Sequence, residues 1–376
     1  MPFPIDSPLA PARIGDPVAA IASPALVIDL DAMERNLDAM AAFAQRHGVR
    51  LRPHAKTHKS ATIALMQMQR GAVGVCVQKA SEALALAAGG VPDLYVSNEV
   101  IDAGKLDRLA ALAARTRLAL AVDSVEGVHR LAAALRAAGT RIDVFVEIDV
   151  GQGRCGVPAG AAGALARRVV DHGLAFAGLQ AYHGGAQHLR STAQRESAVR
   201  ESAERVHAAR SSLSAVGVPC PLVTGAGTGT FALEAASGVW GELQCGSYLF
   251  MDRDYRDNDA LPGAPRFEHA LFVKSQVISR AAAHAVVDAG HKSHAIDCGL
   301  PMVWQRELTF DNGGDEHGIL RSRNDALPGI GETVWLVPGH CDPTVNLHDA
   351  YVAVRGGLET GVVEAVWPVD ARGCVR

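Results

Sequence analysis

Between residues 49 and 244 the chain repeats one pattern: a short apolar run, then an Ala- and Leu-rich segment with Arg and Glu interspersed. The apolar runs fall at 49–54, 73–77, 94–97, 118–122, 144–150, 176–182, 220–224 and 239–244. Strands this short and this continuously apolar need cover on both faces, the condition of a parallel sheet sheathed by helices. Eight such units predict a (β/α)8 TIM barrel, whose catalytic groups gather at the C-terminal ends of the strands. A doubly wound open sheet is the competing arrangement.

Residues 1–24, rich in Pro and Ala, read as an irregular arm. Residues 25–29 form a short apolar strand, and Met33, Leu37, Met40 and Ala44 then recur at helical spacing until Gly48 stops the helix. The barrel is expected over residues 25–258. Near Phe267 the rhythm changes. Strands are expected at 270–279, 285–288, 333–337, 351–355 and 361–367 with no long helix between them, so residues 259–376 read as a β-rich second domain. The strand at 25–30 can also join that second domain. The Asp-, Asn-, Pro- and Gly-containing stretch 252–265 reads as the linker.

Composition excludes several classes of function. The formal net charge is −4 and no long basic run occurs, so nucleic acid is not an expected partner. No segment approaches the ~20 apolar residues of a membrane span. The first residues, Met1-Pro-Phe-Pro-Ile-Asp, lack the pattern of a secretory signal. The seven cysteines are scattered, odd in number and never spaced as C-x-x-C. That argues against a disulfide framework and for a reduced, cytoplasmic protein.

Five segments carry candidate chemistry. Arg52-Pro-His-Ala-Lys-Thr-His-Lys closes the first barrel strand. A lysine just beyond such a strand lies in the barrel mouth, where burial and basic neighbours suit Schiff-base chemistry. Lys56, nearer the strand, is a better candidate than Lys59; a basic strand end that solvates the surface is the other reading. Thr224-Gly-Ala-Gly-Thr-Gly-Thr follows the seventh strand, where barrels commonly bind phosphate, and Gly246-Ser247 after the eighth could add to it. A plain tight turn explains such a loop equally. Arg154, within Gly151-Gln-Gly-Arg-Cys-Gly, could face a cofactor ring or a substrate carboxylate, or stand exposed on a turn. Tyr182, His183 and His188 cluster after the sixth strand, and histidine is the natural general base near neutral pH. In the β-rich domain, His340 and Asp342 lie two apart. An extended chain puts both on one face with Cys341 on the other, a nitrogen–oxygen pair suited to Mn2+, Mg2+ or Zn2+. His348-Asp349 is the competing pair, and a polar turn is the plain alternative.

The combination of Pro53-His-Ala-Lys, Gly151-Gln-Gly-Arg-Cys-Gly, Ala181-Tyr-His-Gly, Gly225-Ala-Gly-Thr-Gly, Gln244-Cys-Gly-Ser-Tyr and His340-Cys-Asp-Pro-Thr resembles the metal-activated D-threonine aldolases. These belong with the D-serine dehydratases and alanine racemases in the pyridoxal-phosphate (PLP) fold-type III group. The resemblance runs from about Ser23 to Gly373. It implies a PLP barrel, a C-terminal β domain and a homodimer with a shared active site. In it Lys56 matches the Schiff-base lysine, and Arg154 and Tyr182 match residues beside the cofactor. The Gly225 loop, with Gly227 and Thr228, matches the phosphate cradle, which Gly246 and Ser247 after the eighth strand could join, and His340 and Asp342 match the metal ligands. In the expected mechanism His188 is the base, acting directly or through a metal-bound water. Asp342, where dehydratase-like members carry a softer Cys, favours Mn2+ or Mg2+ over Zn2+ and the aldolase branch. The implied reaction cleaves a small D-β-hydroxy amino acid of the D-threonine type to glycine and an aldehyde. A 3-hydroxy-D-aspartate aldolase and a D-serine-type dehydratase are the alternatives. His183, where the hydroxyaspartate aldolases carry glutamine, tilts the choice towards D-threonine. A racemase needs no metal ligands, and a flavin- or NAD-binding barrel leaves Lys56 unexplained. The β domain and its metal pair argue against a PLP-carrying regulatory protein without turnover.

Overall fold

The computed structural model describes residues 10–324 and 326–376. Residues 1–9 of the expected arm, with the N-terminal hexapeptide, lie outside the described residues. Strand β1 (Ala25–Asp29) leads into an 18-residue helix, Leu30–His47, capped by the Asp29 carboxylate and ended by Gly48 at φ 64°. Met33, Leu37, Met40 and Ala44 form its buried stripe.

Eight parallel strands follow: β2 (Arg50–Leu51), β3 (Val75–Val77), β4 (Asp93–Val96), β5 (Arg117–Val122), β6 (Asp143–Glu147), β7 (Ala175–Ala181), β8 (Val223–Gly225) and β9 (Glu242–Leu243). They pair in the order β2-β9-β8-β7-β6-β5-β4-β3. The ring closes just past β2, where His54 bridges Cys76 and Cys76 donates its N–H to the Pro53 carbonyl at 2.8 Å. This is the (β/α)8 barrel. Its strands obey the two-residue alternation. Val75 and Val77, Leu94 and Val96, Leu118, Leu120 and Val122, and Val144 and Val146 pack outward against the helices. Cys76, Tyr95, Ala119, Ala121 and Phe145 fill the bore.

Arg52, placed by the sequence among the basic groups of the strand end, instead lies in the barrel interior. Its Nε lies 3.2 Å from Glu242 and its guanidinium also pairs with Asp93 at 2.5 Å. Removing one partner from such a buried pair costs about 3–5 kcal/mol, because a charge is left unpaired.

The second sheet has nine strands: β1, β10 (Leu271–Arg280), β11 (Ala285–Val287), β12 (Met302–Val303), β13 (Leu308–Asn312), β14 (Gly318–Ser322), β15 (Thr333–Val337), β16 (Ala350–Arg355) and β17 (Val362–Pro368). β1 pairs antiparallel with β10 and parallel with β16, so the first strand among the described residues belongs to the sheet formed by the last third of the chain. β13 and β14 were not foreseen. They form a hairpin at the sheet edge with only alternate residues buried, so its sequence is too polar to stand out as a strand. Among the described residues no helix is long and apolar enough to cross a membrane.

Candidate active site

The C-terminal ends of the barrel strands open into a cavity of about 650 Å3. Every segment singled out around the barrel reaches it: Lys56 after β2, Arg154 and Cys155 after β6, Tyr182 and His188 after β7, Gly227 and Thr228 after β8, Gly246 and Ser247 after β9. Between them stand Gln78, Asn98 and Gln180, which no motif flagged, together with His54 and Gln244 from two of the quoted motifs. Gln180 and Gln244 join in a buried chain, with Gln244 Nε2 donating to Gln180 Oε1 and to Thr224 Oγ1, both at 2.8 Å.

Two residues part company with the cavity. Gly225 sits inside β8, where an added Cβ would lie 2.2 Å from the Ala181 carbonyl, so it serves close packing and does not line the cavity. His183 turns towards Gly151 and Arg205, and it too is absent from the lining. Lys59 is buried in an ion pair with Glu82 at 2.7 Å, which leaves Lys56 as the lysine of the first strand end that faces the cavity. His348 hydrogen-bonds the Ser293 carbonyl at 2.8 Å and Asp349 pairs with Arg372, so the competing pair is occupied in holding the chain.

The β domain delivers one segment to this mouth. Lys56 Nζ forms an ion pair with Asp342 Oδ2. His340 Nε2 lies 4.0 Å from the same carboxylate. The local backbone is not the continuous strand expected: His340 is extended, but Cys341–Val345 is a short helix with Asp342 in its first turn. A carboxylate is favoured there, and Pro343 is tolerated because an N–H that early has no helical acceptor. Fully buried Asp252 anchors the segment, accepting the Cys341 N–H at 3.0 Å. Burial works against the Asp342 charge, but Lys56 and then His340 outweigh it and hold the carboxyl well below its usual range. Burial likewise opposes the Lys56 charge, and Asp342 reverses that balance and holds the amine above its ordinary value.

His188 Nδ1 meets the Asp254 carboxylate at 2.5 Å, and Asp254 also pairs with Arg190. With Nδ1 engaged, Nε2 is the nitrogen free for proton transfer. The bond to Asp254 raises His188 above its ordinary pKa, with burial partly opposing. Asp254 belongs to the stretch read as linker, and only the fold brings it to His188. Arg154 lies over the Tyr182 ring, 5.9 Å from the centroid.

Known proteins share both parts of this architecture. Residues 28–254 match the family described as "Alanine racemase, N-terminal domain", and residues 270–354 match the "Putative serine dehydratase domain". The chain is 46% identical over 372 residues to a D-threonine aldolase of Arthrobacter sp, covering 97% of each. The chain belongs to the alanine racemase-like family, in its D-threonine aldolase branch. It is an enzyme of the lyase class. A 3-hydroxy-D-aspartate aldolase of Paracoccus denitrificans (strain Pd 1222) is 43% identical over 373 residues, covering 96% of this chain and 95% of its own. Among solved structures, the D-threonine aldolase from Filomicrobium marinum superposes with a TM-score of 0.95 at 48% identity, covering 98% of this chain and all of that one.

The alanine racemase-like fold implies PLP, and the residues present fit it. An amine that opens on the cavity stands at Lys56, with 39% of its side chain accessible. Gly227, Thr228, Gly246 and Ser247 line the same cavity, and Gly227 and Gly246 pack too closely against Gln187 and Thr57 to carry a Cβ. A divalent ion also fits between His340 and Asp342. Asp342 Oδ1 is buried without a hydrogen-bond partner of good geometry. Asp297 holds His340 Nδ1 at 2.7 Å and so leaves Nε2 on the Asp342 side. A carboxylate holding the far nitrogen of a ligating imidazole is the common support of a metal site.

Proposed function

We propose that this enzyme cleaves D-β-hydroxy amino acids of the D-threonine type to glycine and an aldehyde, using PLP and a divalent ion, Mn2+ or Mg2+ in preference to Zn2+. The observation that carries the reading is the meeting of Lys56, the His340–Asp342 pair and His188 at one barrel mouth. When bound, PLP supplies an electron sink for the pair left on Cα, and the ion supplies a Lewis acid for the β-oxygen. Lys56 would hold the cofactor covalently, with Tyr182 and Arg154 beside its ring and the Gly227–Thr228 and Gly246–Ser247 backbones around its phosphate. His340 Nε2 and Asp342 would hold the ion. His188 Nε2 takes the β-hydroxyl proton, and Asp254 keeps the imidazole in the tautomer and orientation that this transfer needs.

Replacing His188 with alanine should lower kcat by about 10²–10⁴-fold, the usual worth of a positioned base. Activity should fall as pH drops and His188 becomes protonated. Because Asp254 raises His188, that acid limb should sit above the free-histidine value and move to lower pH in Asp254→Asn. An acid limb unmoved in Asp254→Asn would count against the assignment.

The substrate is tested by a panel of D-threonine, D-phenylserine, D-serine and 3-hydroxy-D-aspartate, with L-threonine as control, assaying aldehyde. The highest kcat/KM should belong to D-threonine or D-phenylserine. A preference for 3-hydroxy-D-aspartate would move the enzyme to the function named for its Paracoccus relative. A homodimer belongs to the same proposal: Arg154 is exposed at the cavity in a single chain, and a second subunit would cover it. Sedimentation of active enzyme should give a dimer; a fully active monomer would refute this.

A further inference from the structure

On the side of His340 facing away from Asp342, three potential ligands converge. The Asp297 carboxylate lies 2.7 Å from Nδ1. Cys298 Sγ lies 3.5 Å from the same nitrogen and 3.6 Å from Asp297 Oδ2. Neither Asp297 nor Cys298 belongs to any motif in the sequence, and Cys298 has no part in the proposed cleavage. We propose that Asp297, Cys298 and His340 form a second metal site, selective for a soft divalent ion such as Zn2+, that inhibits the enzyme by taking the imidazole away from the activating ion.

The geometry favours tetrahedral coordination. With Zn–S near ~2.3 Å and Zn–N or Zn–O near ~2.0–2.1 Å, a tetrahedral site separates sulfur from nitrogen or oxygen by about 3.5 Å. Both sulfur edges of the triangle already have that length. The Nδ1–Oδ2 edge, 2.7 Å, is shorter because a hydrogen bond spans it, and a metal replacing the shared proton would open it to about 3.3 Å, which the exposed Asp297 side chain can follow. Water can complete the shell, since the Asp297 side chain is 52% exposed. Binding the ion releases the Cys298 thiol proton to solvent. Thiolate with imidazole is a softer set than the imidazole and carboxylate of His340 and Asp342, so the two sides of one residue select different ions.

The two sites exclude each other through the chemistry of a single ring. A neutral imidazole has one nitrogen lone pair to give and one N–H. While Asp297 accepts from Nδ1, the lone pair is on Nε2 and faces Asp342. An ion on Nδ1 sends the proton to Nε2, which then presents an N–H where the activating ion needs a donor atom. This exclusion rests on the proposed role of His340 in the cleavage site; the existence of the Cys298 site does not.

The test compares unmodified holoenzyme, Cys298→Ser and Asp342→Asn. Co2+ replaces Zn2+ as the spectroscopic probe, because tetrahedral Co2+ with a thiolate ligand absorbs strongly at wavelengths beyond the cofactor's band. Those bands should appear in the unmodified enzyme and in Asp342→Asn and be missing in Cys298→Ser. Mn2+-supported aldehyde release should be unchanged in Cys298→Ser, while the Zn2+ concentration that halves it should rise at least about tenfold, the loss expected when a ligand is removed. Bands that persist in Cys298→Ser, equal Zn2+ inhibition of both enzymes, or no Zn2+ inhibition of the unmodified one would overturn the proposal. If turnover needs no Mn2+ at all, the proposed cleavage mechanism fails, and the Co2+ spectrum still decides whether the Cys298 site exists.

Discussion

Lys56→Ala should remove covalent attachment of PLP and lower aldehyde release by about 10³-fold or more, since the cofactor provides the sink for the electrons of the broken bond. The placement makes Lys56 the specific candidate. It follows β2 at the barrel mouth and opens on the cavity, whereas Lys59 is spent on Glu82 and on the Ala371 carbonyl. Lys79 also lines the cavity and is the residue against which the assignment must be checked. Borohydride reduction followed by peptide mapping reads this directly. The label should fall on Lys56, and the alanine variant should lose it together with the visible absorbance of the bound cofactor. A label on Lys79 or Lys59 would reassign the site.

Asp342→Ala should be as damaging to turnover but leave the cofactor in place. The ion contributes several kcal/mol by stabilising charge on the β-oxygen, which corresponds to a loss of about 10³-fold. His340 alone cannot retain a labile divalent ion well. The variant should therefore lose Mn2+ binding in calorimetry and lose aldehyde release, while its cofactor absorbance changes little. Near-normal Mn2+ affinity in Asp342→Ala would mean that the ion is held elsewhere.

The barrel was legible because its strands are buried on both faces, so each reads as a short apolar word such as Leu118 to Val122. The hairpin of β13 and β14 was not, because burial of alternate residues such as Leu308 and Phe310 leaves too weak a signature. The residues that reach the cavity stood out in the sequence where they follow barrel strands or stand between glycines, as Lys56 and Arg154 do. Asp254 and Asp297 carried no such mark: each touches a histidine that is distant in the sequence, 66 positions away for Asp254 and 43 for Asp297. Gly225 misled for the opposite reason. A glycine demanded by the Ala181 carbonyl looks the same in sequence as one that cradles a phosphate. His183 misled similarly, since its neighbours Tyr182 and His188 reach the cavity and it does not.

The most direct measurement tracks product stoichiometry from D-threonine with PLP-loaded enzyme, first stripped by a chelator and then restored with Mn2+. Restored enzyme should release glycine and acetaldehyde in equal amounts with no ammonia, and stripped enzyme should release neither while keeping its cofactor absorbance. Ammonia with a keto acid as the main products, or undiminished acetaldehyde release from the stripped enzyme, would contradict metal-assisted aldol cleavage at the Lys56–His340–Asp342 site.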